Sequence, residues 1–357
     1  MSRFLSRERR GLVPYTPGEQ PRGEKLIKLN TNEAPFPPPQ SVVDAASAAA
    51  RGVNLYSDPE GTELRAALAE YHGVSARNIS LGNGSDETLA FAFAAFGGAD
   101  SPFAFPDVTY GFYPVFAALF GVPFTEIPTD SALGIRPEDY IGLGKNIVLA
   151  NPNAPTGEAL PIDDVKRIAD SNPNNVVIID EAYADFWGET AIPLTERCEN
   201  LLVVRTYSKS RFFAGARLGY AVGNAILTGD LETVRYSFNP YNLNSMTLAA
   251  GARALTEDAY YKTRWREITE TREETQKALR ALGFETTRSQ ANFIFARYVG
   301  ISGAELMSAL RERGLLTRAL SRERVLDRLR ITVGTPEQMK TLVGAAEEII
   351  GTRKNQS

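Results

Sequence analysis

From Ile79 onward, short apolar runs alternate with stretches of helical spacing. Strands are expected at 103–105, 122–127, 147–150, 176–180, 201–205 and 219–222, and helices at 86–96, 110–120 and 161–171. The central runs are apolar throughout instead of alternating, as in strands buried on both faces. Their succession with helices predicts a mainly parallel sheet covered on both sides. Ahead of it, 41–51 is Ala-rich and helical, and 62–72 places Leu64, Leu68 and Tyr71 on one helical face. Pro35 and Pro37 to Pro39 exclude regular structure in the Pro- and Gly-rich first 40 residues, which read as an arm laid over the rest.

After Leu243 the texture changes. Residues 245–282 form one long charged helical stretch, whose Arg264, Arg266, Glu267, Glu270, Arg272, Glu273 and Glu274 suit a solvated face. A strand at 292–296, a helix at 303–313, a strand at 329–333 and a helix at 336–350 then predict a smaller α+β unit. The expected division is an arm at 1–35, a large domain at 36–250 and a small C-terminal domain at 251–357 that packs with the arm. A site between the two domains is the natural arrangement. The longest uncharged stretch, 108–125, approaches a membrane span in length, but Gly111, Pro114, Gly121 and Pro123 break it into helix, turn and strand.

Composition narrows the chemistry. The single cysteine, Cys198, has no internal partner for a disulfide, and the first ten residues hold no apolar signal core. A cytoplasmic protein without membrane association is expected. The single histidine, His72, excludes sites that need two histidines, so no metal centre is expected. A net charge of −4 argues against nucleic acid as a partner. Lysine, aspartate, tyrosine and arginine, or a cofactor, must therefore carry the function.

In an open parallel sheet, ligands bind beyond the carboxyl ends of the strands. Three features follow predicted strands and should meet there: Asp180, Lys209 and the turn 151–157. Lys209 lies in Thr206-Tyr207-Ser208-Lys209-Ser210, with Arg217 eight residues on. A lysine past a buried strand, flanked by hydroxyls and an arginine, suits a Schiff base with a phosphorylated aldehyde, and an aspartate at a neighbouring strand end suits a protonated ring nitrogen. Together they point to pyridoxal 5′-phosphate. Gly82-Asn83-Gly84-Ser85-Asp86 precedes a helix whose first amides suit a phosphate, with Arg217, Ser208 and Thr206 as further donors. Tyr110, after another strand, suits stacking on a planar ring. Five arginines fall within 318–330, and Arg330 stands apart because Leu329, Ile331 and Val333 alternate with it. On a rigid strand, Arg330 with Arg318 suits an anionic substrate.

These residues resemble the class I/II aminotransferases of pyridoxal-phosphate fold type I, and most of all the histidinol-phosphate aminotransferases. The resemblance runs from Lys28-Leu-Asn-Thr-Asn-Glu33 to Leu329-Arg-Ile-Thr-Val-Gly334. Its most specific pieces are Asn151–Gly157, Asp180-Glu-Ala-Tyr183, and Ser208-Lys209 with Arg217. It implies a mainly parallel seven-stranded sheet in the large domain with a smaller α+β C-terminal domain. It also implies that Lys209 binds the cofactor covalently, Asp180 faces the pyridinium nitrogen, Tyr183 bonds the ring hydroxyl and Tyr110 stacks on the ring. Ser85, Asp86, Ser208 and Arg217 would hold the phosphate, with Tyr56 donated by the other subunit of a homodimer. Relatives carry asparagine just before Pro-Thr-Gly where this chain has Ala154, so Asn153 is expected to reach the cofactor in its place. Tyr15, Asn32, Arg318 and Arg330 resemble the set that binds histidinol phosphate, with 2-oxoglutarate as acceptor. An aromatic amino-acid aminotransferase, or a decarboxylase of a phosphorylated amino acid, shares most of these residues.

Overall fold

The structure is a computed structural model that describes residues 2–23 and 25–354. The arm contributes a two-residue strand, β1 (Ile27–Lys28), and ends at Pro39, which caps helix α1 (Gln40–Ala49). Helix α2 (Thr62–His72) follows, entered and left through glycines at positive φ, Gly61 and Gly73. The main body then runs β2 (Ile79–Gly82), α3 (Ser85–Phe96), β3 (Phe103–Pro106), α4 (Tyr113–Phe120), β4 (Phe124–Ile127), β5 (Asn146–Ala150) and α5 (Ile162–Ser171). It continues through β6 (Val177–Asp180), α6 (Ala184–Trp187), β7 (Leu201–Thr206), β8 (Gly219–Gly223) and α7 (Ala225–Phe238). Helices α8 (Ser245–Thr256) and α9 (Asp258–Ala281) lead to β9 (Glu285–Thr286), β10 (Phe293–Arg297), α10 (Gly303–Arg311), β11 (Leu315–Leu316), β12 (Arg318–Ala319), β13 (Arg328–Thr332) and α11 (Pro336–Lys354).

Seven strands form the larger sheet in the order β2-β8-β7-β6-β5-β3-β4. All neighbours are parallel except around β8, which runs antiparallel to β2 and β7. Every residue of β3, β5, β6 and β7 is buried, the consequence of helices on both faces. A second sheet, β12-β13-β10-β9, is antiparallel, and the arm joins the C-terminal part through parallel pairing of β1 with β11. In that pairing, Ile27 and Lys28 are opposite Leu315 and Leu316.

Two element readings need correction. The stretch 245–282 is two helices, because Glu257 leaves helical geometry at φ −99°, ψ 23° and accepts hydrogen bonds from Ser41 and Arg253. Helix α8 packs on α1 and α2, whereas α9 packs on α6 and α11, so the break redirects the chain. Helix α7 has no counterpart in the sequence reading. Its buried face includes Thr228 and Arg235 as well as Leu231, which hides the apolar period. Arg235 is buried because Glu232 and the carbonyls of Pro59 and Pro240 hold its guanidinium. In the uncharged stretch 108–125, helix α4 ends at Gly121 in the left-handed region before β4, and among the described residues no helix is long and apolar enough to cross a membrane.

Candidate active site

The carboxyl ends of β5, β6 and β7 open onto one cavity of about 400 Å³. Tyr15, Asn32, Ser85, Asp86, Tyr110, Asp180, Tyr183, Thr206, Ser208, Lys209, Arg217, Arg318 and Arg330 all line it. Residues separated by up to 315 positions converge because parallel strands deliver their following loops to the same edge, and β12 and β13 close it from the other sheet.

Lys209 follows β7 by three residues, and its Nζ donates to the Thr31 carbonyl at 3.1 Å. Burial is the main cause that lowers its ammonium pKa from 10.5 to about 8; nearby Arg330 and Arg217 act in the same sense, against Asp86 and Glu33. Asp180 ends β6. Its carboxylate accepts from the Tyr113 hydroxyl at 2.9 Å and from the Ala182 amide at 3.2 Å. Burial raises its pKa to about 6 against those two hydrogen bonds, so a positive partner facing it would be favoured. Tyr183 accepts from the Asn32 amide at 2.9 Å, and the Thr332 hydroxyl in turn donates to the Asn32 carbonyl oxygen.

One stretch of the cavity lining gathers hydrogen-bond donors that could hold an anion. Ser85 and Asp86 start α3, where the first amides have no partner within the helix. Two glycines make the approach possible. A Cβ on Gly84 would lie 2.3 Å from the Arg217 guanidinium, and one on Gly219 would lie 2.4 Å from the backbone of Gly84 and Ser85. Arg217, itself at φ 56°, donates to the Ser208 hydroxyl at 3.2 Å and pairs with Asp86 at 3.3 Å. Tyr110 donates to the other Asp86 oxygen at 2.7 Å. Thr206 accepts from the Ser208 amide at 3.1 Å, which fixes the turn that carries Lys209.

Elsewhere on the cavity lining, Arg318 and Arg330 are cross-strand partners in the β12–β13 register. Arg318 donates to the Thr16 and Pro17 carbonyls of the arm, and Arg330 donates to the Asn30 carbonyl at 3.1 Å. The Arg330 Nε is buried and has no protein partner. Tyr15, also on the lining, stacks on Phe112 with ring centres 4.5 Å apart. A second cavity of about 500 Å³ continues from there, and shares Tyr15, Tyr110, Ala154, Arg318 and Arg330 with the first.

Asn153 is a correction. It is absent from the lining of the main cavity, and its amide is fully engaged elsewhere: it donates to the Val108 carbonyl at 2.9 Å and Thr156 Oγ1 at 3.3 Å, and accepts from Thr109 Oγ1 at 2.8 Å. Ala154 faces the cavity instead. A side chain that satisfies three buried groups, two of them in the loop after β3, is not free to reach inward. Tyr56 lies away from the cavity of its own chain; it is 82% exposed and stacked on Tyr241. Sequence reasoning missed Tyr113, the partner of Asp180, although it stands one helical turn past Tyr110. It also missed Asn30 and Thr31 of the arm, whose backbone carbonyls accept from Arg330 and Lys209 and which no side-chain pattern reveals.

This cavity, with its lysine, buried carboxylate and anion cradle at one sheet edge, is the kind that the aminotransferase fold builds. The family model for aminotransferases of class I and II matches residues 24–345, and the chain belongs to that family. Its curated relatives narrow the group. It is 47% identical over 350 residues to histidinol-phosphate aminotransferase 1 of Bradyrhizobium diazoefficiens, covering 98% of this chain and 100% of the relative. It is 44% identical over 346 residues to histidinol-phosphate aminotransferase 1 of Pseudomonas aeruginosa, covering 97% and 99%. Among solved structures, the histidinol-phosphate aminotransferase of Sinorhizobium meliloti in complex with pyridoxal 5′-phosphate superposes with a TM-score of 0.83 at 25% identity, covering 92% of both chains.

Proposed function

We propose that this chain transfers the amino group of histidinol phosphate to 2-oxoglutarate, using pyridoxal 5′-phosphate carried by Lys209, and that it acts in the cytosol as a homodimer. Arg330 beside Arg318, lining the same cavity as Lys209, carries the substrate reading: a pair of guanidinium groups apart from Arg217 suits a phosphorylated amine and, in the return half, a dicarboxylate. The names and near-complete coverage of the relatives support the same substrate.

The residues fit the cofactor. Ser85 and Asp86 amides, Thr206, Ser208 and Arg217 are assigned to its phosphate, Asp180 to its ring nitrogen, Tyr183 to its ring hydroxyl and Tyr110 to its ring face. The exposed Tyr56 is assigned to the phosphate of the neighbouring subunit's site, so each site would be completed across a dimer. Bound there, the cofactor supplies an aldehyde that captures amines covalently and a ring that spreads negative charge. Tyr113 and the Ala182 amide hold the Asp180 carboxylate in place. Lys209 Nζ, once displaced by the substrate amine, takes up the proton that leaves the substrate's amine-bearing carbon. Tyr15, Asn32, Arg318 and Arg330 orient the substrate. With no amide at Ala154, Tyr183 and its Asn32 partner carry the ring-hydroxyl contact.

Two results test this reading. In single turnovers followed by the absorbance of the linked cofactor, histidinol phosphate is expected to react with at least about tenfold higher kcat/KM than phenylalanine or tyrosine. Faster conversion by the aromatic amino acids would overturn the substrate assignment. The pH dependence is the second. The neutral amine attacks the aldehyde, and the Lys209 pKa lies at about 8. Covalent uptake of pyridoxal 5′-phosphate by the cofactor-free protein should therefore reach half its maximal rate near that pH. A half-maximum above pH 10 would show a lysine not perturbed by the site.

A further inference from the structure

Behind the cavity wall lies a group of buried charges that does not touch the cavity. Arg205, on β7, donates to Glu181 at 2.8 Å and pairs with Asp185; the three side chains are 7%, 0% and 17% exposed. The Asp185 carboxylate also accepts from the Ser210 hydroxyl. Glu181 accepts from Thr190 at 2.6 Å and from the Ala191 amide at 2.5 Å, so its oxygens are satisfied. Trp265 donates from its indole N–H to the Ser210 carbonyl at 2.6 Å. Glu181, Asp185, Arg205 and Ser210 are all absent from the cavity lining.

Their sequence neighbours are the groups of the reaction. Glu181 follows Asp180, Asp185 is two residues past Tyr183, Arg205 precedes Thr206, and Ser210 follows Lys209. The cluster therefore ties the loop after β6 to the turn after β7 from behind. A buried ion pair contributes little net stability compared with apolar filling of the same space, because desolvation offsets the attraction. What such a pair supplies is a fixed relation between the two segments it joins. Burial works against ionisation of Asp185, but Arg205 and Arg211 outweigh it, and the carboxyl stays below its ordinary range.

We propose that Ser210, Asp185, Arg205 and Glu181 form a positioning clamp that sets where Lys209 stands relative to Asp180. The clamp rests on the reading of Lys209 as the residue that binds the cofactor. Displacement of a reacting group by ~1 Å can lower a rate about 100-fold, and one removed hydroxyl leaves most of the clamp in place. For Ser210→Ala, covalent uptake of pyridoxal 5′-phosphate by the cofactor-free protein is expected to slow about tenfold. With histidinol phosphate, kcat should fall by a similar factor, while KM stays within about twofold. The melting temperature of the cofactor-free variant is expected to fall by only a few degrees. Uptake and kcat within about twofold of wild type would overturn the clamp, whatever the melting temperature does. Asp185→Asn keeps the size of the side chain and is read in the same way if Ser210→Ala does not fold. Wild-type protein that fails to take up the cofactor covalently would instead overturn the assignment of Lys209.

Discussion

Lys209→Ala is expected to lower kcat at least about 10³-fold, because one substitution removes both the proposed covalent link and the proposed general base. Lys209 is the lysine in the cavity, and its Nζ is the group whose pKa the surroundings bring down to about 8. The variant should still fold and bind pyridoxal 5′-phosphate noncovalently, since the phosphate cradle at α3, Ser208 and Arg217 is untouched. Steady-state kinetics together with the loss of the linked-cofactor absorbance check this, and turnover near wild type would sink the assignment. The same variant tests the shared site. Mixed with an inactive Tyr56→Ala chain under conditions of subunit exchange, it should restore activity to about a quarter of wild type, because half of the dimers are mixed and each holds one intact site. No restoration would mean that Tyr56 does not act across subunits.

Asp180→Asn is expected to lower kcat by roughly 10²–10³-fold, the scale of removing one preorganised electrostatic group from a closed site. Its effect on stability should have the opposite sign. In the cofactor-free protein, burial raises the Asp180 pKa from 3.8 to about 6. Between those values the folded state binds more protons than the unfolded state, so stability declines as pH rises through that window. Asparagine carries no such penalty. Cofactor-free Asp180→Asn should therefore melt higher than wild type above pH 6 and show little difference below pH 4. Lower melting at all pH values would show that the carboxylate is a structural anchor. On the proposed role of Asp180, the stability given up at this carboxylate would be recovered by a positive ring nitrogen facing it.

Much of the site was legible because its groups sit at fixed offsets from strand ends. Asp180 closes β6, Lys209 follows β7 and Ser85 opens α3, so the rule that ligands gather at carboxyl ends was enough to group them. Arg330 was legible from alternation, since Leu329 and Ile331 are buried on either side of it. Asn153 shows where that reasoning stops. Its residue type was right for a ring contact, but competition for its amide by Val108, Thr109 and Thr156 cannot be read from spacing. Helix α7 was hidden for a related reason, because Arg235 on its buried face is satisfied in part by the carbonyl of Pro59, distant in sequence.

The sequence by itself determined the parallel sheet, the family and the kinds of groups at the site, because period, strand-end offsets and short motifs are local properties. Only the tertiary structure decided which side chains are free to act. It gave the Lys209 amine to Thr31, left the Arg330 Nε without a partner, committed Asn153 to the loop after β3 and joined Ser210 to Asp185 behind Lys209. Those outcomes depend on desolvation and on hydrogen-bond partners brought together from distant parts of the chain, and no local pattern encodes either.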